Sequence, residues 1–173
     1  VLADDMGLGK TLQLITHLLS LKQHGALTQP ALIVVPTSLI PNWQSEIARF
    51  APMLRVLTLH GPQRAEEFAQ LGDQDIVLTS YALLPRDVVP LRKQAFALIV
   101  LDEAQQVKNP RTQARRALLS LRSPRYVCLT GTPLENHLGE LWSQIDLAVP
   151  GLLGDEGAFR RHYRVPIEKQ HDE

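Results

Sequence analysis

The chain has 173 residues, 45% of them hydrophobic, and equal numbers of acidic and basic side chains. That is enough for one domain with a buried core; the zero net charge argues against a stand-alone nucleic-acid binder, which is usually basic, but leaves room for a domain that touches nucleic acid along one edge. A single cysteine excludes an intrachain disulfide, the six histidines show no zinc spacing, and no apolar run has the length or flanks of a membrane span or signal segment.

In chain order, the start at Val1 without a methionine reads as a fragment. The short apolar pair Val1-Leu2 leads into Asp4-Asp-Met-Gly-Leu-Gly-Lys-Thr11, which ends as a phosphate-binding loop ends. Gly7 and Gly9 let backbone amides approach a phosphate, and the helix that follows presents its positive end. Lys10 can reach the terminal phosphates and the Thr11 hydroxyl can ligate Mg²⁺. Asp4 stands where the general pattern has its first glycine, and a glycine-rich turn that merely precedes a lysine is the plainer alternative. Leu12, Leu14, Ile15, Leu18, Leu19 and Leu21 predict a helix that ends before Gly25.

Five short apolar runs predict strands: Ala31–Val35, Val56–Leu59, Ile76–Leu78, Ala97–Leu101 and Tyr126–Leu129. Runs of this kind fit strands covered on both faces, as in a parallel sheet. Between them, Trp43, Ile47 and Phe50 repeat at helical spacing, with Pro41 suited to the first turn. The spacing assigns Trp43 to the core. Ala114, Ala117, Leu118 and Leu121 form a second stripe, with Asn109-Pro110 as its cap and first residue. Leu138, Leu141, Trp142 and Ile145 form a third, capped by Asn136. Cys128 lies inside the last apolar run and reads as a core thiol. The stretch from Pro166 to Glu173 reads as the start of something cut off.

Alternating strands and helices predict an α/β domain with a mainly parallel sheet, whose ligands bind at the carboxyl ends of the strands. Leu98-Ile-Val-Leu-Asp-Glu-Ala-Gln105 is a strand ending in two acids. Asp102 there can hold the Mg²⁺ that bridges the nucleotide phosphates. Glu103 can orient and deprotonate the attacking water. Alone, the acids would read as a solvated turn; with the phosphate loop they read as a hydrolytic site. From Ala104 to Leu134 there is no acid, while Lys108, Arg111, Arg115, Arg116, Arg122 and Arg125 are present. Such a cluster fits phosphate contacts, with Arg115 and Arg116 the chosen candidates; a solvated helix face or a surface for another lobe are the alternatives.

The ordered blocks Leu2–Thr11, Val35-Pro-Thr-Ser-Leu-Ile-Pro-Asn-Trp43, Leu78-Thr-Ser-Tyr81, Asp102-Glu-Ala-Gln-Gln-Val-Lys-Asn109 and Leu129-Thr-Gly-Thr-Pro-Leu-Glu-Asn136 resemble the Swi/Snf-like branch of the superfamily-two helicases. The similarity continues through Glu140-Leu-Trp-Ser143 and Pro150–Gly154 to about residue 168. The acidic residue at position 4 matches this branch, and Gln105 resembles bacterial members. The resemblance implies a three-layer, RecA-like P-loop NTPase lobe over residues 1–168, with a truncated tail at 169–173. It implies an ATP- and Mg²⁺-using motor on double-stranded DNA, completed by a second RecA-like lobe and working in the bacterial nucleoid, or the nucleus of a eukaryote.

By the same resemblance, Asp4, Asp5, Met6, Gly7, Leu8, Gly9, Lys10 and Thr11 bind ATP, and Thr11 and Asp102 hold the metal. Lys10, Glu103 and Gln105 act in catalysis. Thr130, Gly131 and Thr132 couple the nucleotide site to DNA, with Gln105 as partner. Pro36, Thr37, Asn42 and Trp43, and Thr79 with Ser80, line the DNA track; helical spacing favours the core for Trp43, and the end of a strand is the plainer alternative for Ser80. Two rivals remain: a nucleotide-dependent scaffold without catalysis, against which the intact Lys10, Asp102 and Glu103 speak, and an RNA helicase or restriction-type motor. Thr130-Gly-Thr-Pro133, where RNA helicases carry Ser-Ala-Thr, speaks against the RNA version.

Overall fold

A computed structural model describes residues 1–5, 7–109, 111–134 and 137–170. Its centre is a five-stranded sheet in the order β2-β3-β1-β4-β5: β1 Ala31–Val35, β2 Val56–Thr58, β3 Ile76–Ser80, β4 Leu98–Leu101 and β5 Tyr126–Cys128. Every pairing is parallel. Leu2 adds a parallel bridge to Leu129 beyond β5, so the segment leading to the phosphate loop runs along that edge. All five strands stand at the predicted apolar runs, and β1, β3 and β4 are buried along their whole length, as a sheet with both faces covered requires.

The helices cover the two faces. α1 (Lys10–Gln23) and α2 (Ile40–Phe50) pack Leu14, Ile15, Leu18, Trp43 and Ile47 against Ala31, Ile33, Val35, Leu78 and Val100. On the other face, α3 (Leu84–Leu91) and α4 (Gln113–Leu119) pack Leu84, Leu91, Ala117 and Leu118 against Leu32, Val34, Val77, Ile99 and Leu101. Alternate residues of each strand serve opposite cores, which is the period-two geometry of a strand. The result is three layers with a core of domain size on each side of the sheet. Further on, α5 (Leu138–Ala148) and the short α6 (Glu156–Phe159) lead into helical turns through Arg160–Arg164 and Pro166–Gln170. No helix among the described residues is long and apolar enough to cross a membrane.

Some expectations are corrected. α4 begins at Gln113, and its cap is Thr112, whose hydroxyl accepts from the Arg115 amide at 3.2 Å. Asn109 closes the preceding turn instead, its side-chain oxygen accepting from the Arg111 amide; Pro110 lies outside the described residues. The stripe expected to bury α5 does not: Leu138, Leu141, Trp142 and Ile145 are half-buried, whereas Glu140, Ser143, Gln144 and Leu147 are buried. The inward face is polar because it meets Arg115 and Lys108, whose contacts follow with the site. Asn136, the expected cap, lies outside the described residues. Among the elements not foreseen are α3, where Pro85 and Pro90 disguise the helical pattern, the 3₁₀ run Pro62–Asp73 and α6.

A buried acid locks the far end of the sheet. Asp75, just before β3, accepts from Lys22 Nζ at 2.6 Å and from the Arg55 amide at 2.9 Å. Lys22 is in the last turn of α1, where a cation also suits the helix dipole. Burial alone would raise the Asp75 pKa, but the donors from Arg55 and Lys22 outweigh it and hold the carboxyl below its usual range.

Candidate nucleotide cleft

The carboxyl ends of the parallel strands open into a cleft of about 450 Å³, lined by Gly7, Gly9, Lys10, Thr11 and Leu12, by Asp102 and Glu103, and by one side of α2. The loop owes its shape to its glycines. Gly7 and Gly9 have φ of 82° and 77°, a region that side chains with a Cβ rarely adopt. A Cβ would meet nothing within 4 Å at either position, so the demand is conformational rather than spatial. Gly9 caps α1, and Lys10 and Thr11 form its first turn, where free amides and the helix dipole favour an anion.

Lys10 reaches back over the loop and donates from Nζ to the carbonyls of Asp4 and Asp5 at 2.6 and 2.9 Å. A phosphate entering the loop competes for these donors. Gln13 braces the same turn from α1, with Nε2 donating to Asp4 Oδ2 at 3.4 Å. Met6 lies outside the described residues, and the Asp5 and Leu8 side chains are exposed.

The acids stand opposite. Asp102 follows β4 and is only 7% exposed. Its Oδ2 accepts from Trp43 Nε1 at 2.8 Å and its Oδ1 from the Glu103 amide at 3.0 Å. Burial raises the Asp102 pKa, and the neighbouring Glu103 charge adds to the rise, while the Trp43 and Glu103 donors oppose it. Glu103 has φ 50°. Its Oε2 accepts from Gln105 Nε2 at 2.7 Å, and Gln105 Oε1 accepts from the Thr130 hydroxyl at 3.1 Å. Thr130 Oγ1 in turn accepts from the Thr132 amide at 3.1 Å. A continuous chain of hydrogen bonds therefore runs from Glu103 to Thr132 across the ends of β4 and β5. Gly131, between the two threonines, is half-buried.

The donor set fits a hard divalent cation. Magnesium takes oxygen ligands, one or two from protein and the rest from water and phosphate. Thr11 and Asp102 offer a hydroxyl and a carboxylate in one cleft. No group of three His, Cys, Asp or Glu able to hold a metal occurs among the described residues, so phosphate oxygens would have to complete the shell.

The expected DNA-facing residues divide. Thr37 and Arg116 are exposed and Pro36 is half-buried. Asn42 is exposed too, but on the wall of the nucleotide cleft beside Glu46, Arg49 and Phe50. Thr79 and Ser80 are wholly buried at the end of β3, so their side chains present nothing at the surface. Arg115 is a correction. It is 4% exposed, and its Nη1 donates to Ser143 O at 3.0 Å, Ser143 Oγ at 3.2 Å and Val107 O at 3.3 Å. Asp146 lies 4.0 Å from Nη2. Its arginine charge holds α4 to α5 and is not available to a ligand; burial lowers its pKa. Lys108 is likewise engaged, with Glu140 at 2.9 Å.

Sequence reasoning missed two aromatic donors that turn toward the site. Trp43 was assigned to the core, where it does lie, but its N–H holds Asp102. Tyr81 O–H donates to the Asp102 carbonyl at 2.8 Å. The available signal was that buried Trp and Tyr need partners for their polar ends; nothing in the sequence named the partner.

A profile of the SNF2-related domain matches residues 1–173. A putative ATP-dependent helicase/translocase, YwqA, of Bacillus subtilis is 45% identical over 99% of this chain, which spans 19% of that protein. The TATA-binding protein-associated factor mot1 of Schizosaccharomyces pombe is 38% identical over 99% of the chain, which spans 10% of it. Among solved structures, a SWI2/SNF2 ATPase core of Sulfolobus solfataricus in complex with dsDNA superposes with a TM-score of 0.87 at 43% identity, covering 97% of this chain and 35% of that one.

Proposed function

The chain belongs to the SNF2-related domain family, and from that premise we propose that it is the nucleotide-binding lobe of an ATP-driven motor on double-stranded DNA. One observation carries the reading: the phosphate loop, Asp102 and Glu103 converge on a single cleft, with Glu103 already engaged by Gln105. ATP enters with its phosphates on the amides of Gly7–Thr11, and Lys10 exchanges the carbonyls of Asp4 and Asp5 for phosphate oxygens. Thr11 and Asp102 would hold Mg²⁺, which would supply charge neutralisation when bound. Glu103 orients and deprotonates the attacking water, and Gln105 fixes its carboxylate. Thr130 and Thr132 extend that fixation toward the neighbouring strand end, so a shift there reorients Glu103.

The greater length of the Bacillus subtilis relative, and the binding of dsDNA by the Sulfolobus solfataricus ATPase core, support the rest of the proposal. A second lobe closes the cleft from the other side. Duplex DNA runs over the segments after β1, where Pro36 and Thr37 are presented, and Arg116 adds a basic contact on α4. The experiment is ATP turnover by the protein carrying both lobes, with duplex DNA, with RNA and with neither. Duplex DNA should stimulate turnover and Lys10→Ala should abolish it. Stimulation by RNA alone would favour the RNA-helicase reading, and a Lys10→Ala variant with normal turnover would remove the phosphate-loop assignment.

A further inference from the structure

We infer that Trp43 is a positioning residue for the metal-holding carboxylate: its indole N–H, 2.8 Å from Asp102 Oδ2, fixes the orientation in which Asp102 meets Mg²⁺. The inference rests on the reading of Asp102 as that carboxylate. The two residues are 59 positions apart in sequence and are brought together because α2 packs over the sheet beside β4. Trp43 has no exposed surface, and Asp102 is nearly buried. The indole cannot turn away to water, and Asp102 reaches only the cleft.

The chemistry of the donor makes the contact one-directional. An indole offers a single N–H and no acceptor, so this bond exists only with an oxygen lone pair facing Trp43. Asp102 Oδ1 is occupied in the same way by the Glu103 amide. With one donor on each oxygen, rotation of the carboxylate about its Cβ–Cγ bond would break both bonds. The main chain is pinned as well: the Tyr81 hydroxyl donates to the Asp102 carbonyl at 2.8 Å, and the Asp102 amide donates to Val34 O at 3.0 Å. A buried indole needs only some acceptor, and any free carbonyl would serve. Here the acceptor is a carboxylate that lines the same cleft as Thr11. Groups that orient a metal ligand in this way typically change metal affinity by about 10–100-fold when removed.

The test uses Trp43→Phe, which keeps an aromatic ring in the core and removes the N–H. Binding of the non-hydrolysable ATP analogue AMP-PNP to this chain is measured by calorimetry, once with Mg²⁺ and once with EDTA, alongside thermal melting. The variant should melt cooperatively, bind metal-free AMP-PNP within about twofold of the parent, and lose about tenfold of the affinity gained from Mg²⁺. An unchanged Mg²⁺ gain overturns the inference. So does a parallel loss with Mg²⁺ and with EDTA, which marks Trp43 as packing alone. If the variant does not fold, the native residue is its own probe. The chain has two tryptophans, so in a Trp142→Phe background the emission is that of Trp43. It should change on adding Mg²⁺ with AMP-PNP and stay unchanged with AMP-PNP in EDTA; the same response in both also overturns the positioning role. If the parent chain itself binds AMP-PNP but gains nothing from Mg²⁺, the metal-site reading fails first and takes this inference with it.

Discussion

Glu103 and Asp102 are adjacent carboxylates with different surroundings, and the difference assigns their work. Asp102 is buried and held by two N–H groups, whereas Glu103 is half-buried and held by one amide side chain. Glu103→Gln keeps size and removes the base. It should leave nucleotide affinity near that of the parent and lower turnover in the two-lobed protein by about 10²–10⁴-fold; simultaneous loss of binding, with an intact melt, would make Glu103 structural. Asp75 gives a pH prediction. Its folded pKa lies below the ordinary value, so its contribution is full above the unfolded pKa, about 3.9, and fades as pH falls through the lower folded value. Asp75→Asn should therefore lower the melting temperature at neutral pH, and its difference from the parent should shrink in acid below about pH 4. A difference that persists undiminished in acid would show that the Asp75 charge is not what stabilises this corner.

At the scale of elements, α4 carries neighbouring arginines with opposite fates. Arg115 points into the body and Arg116 out of it. Arg115→Ala leaves the Ser143 and Val107 carbonyls without this donor and should cost about 1–3 kcal/mol, as leaving buried polar groups unsatisfied does. Arg116→Ala should cost within about 0.5 kcal/mol and reduce the salt slope of DNA binding by about one. Chemical denaturation and salt-dependent binding measure these, and equal stability of the two variants would contradict the buried position of Arg115. The sequence could not separate them, since both belong to one basic run and helical phase depends on where the helix begins. α5 misled for the same reason: its apolar stripe was genuine, but the buried arginine draws the polar face inward. By contrast, the five strands were legible, because burial on both faces writes itself as an unbroken apolar run. The meeting of the glycine loop and the Asp-Glu pair in one cleft was legible too, since ligands of such sheets lie at the carboxyl ends of the strands. The contacts of Trp43 and Tyr81 with Asp102 were not, because they join segments far apart in the chain.

For the whole molecule, the proposed mechanism needs charge from both sides of the transferred phosphoryl group; among the described residues the cations lining the cleft are Lys10 and, on α2, Arg49, both from this one domain. An arginine from across a nucleotide cleft is worth about 10³–10⁵ in rate, or roughly 4–7 kcal/mol of barrier. The 173-residue chain should therefore fold, since it has a core on both faces of its sheet, yet hydrolyse ATP at most about a thousandth as fast as the two-lobed protein. Steady-state turnover with saturating Mg²⁺ and duplex DNA measures this, and comparable rates would refute the need for a second lobe. The backbone of Glu103 bears on how such a chain responds to selection. Among the described residues it is the non-glycine residue with positive φ, a conformation that costs a side chain with a Cβ about 1–2 kcal/mol. Glycine at that position would relieve the strain at an entropic cost of about 0.5–1 kcal/mol and would give up the bond from Gln105, so Glu103→Gly should melt close to the parent while lacking the base. A screen of variants for heat resistance alone would then tolerate the loss of Glu103, drifting toward sturdy proteins that hold nucleotide and never turn it over.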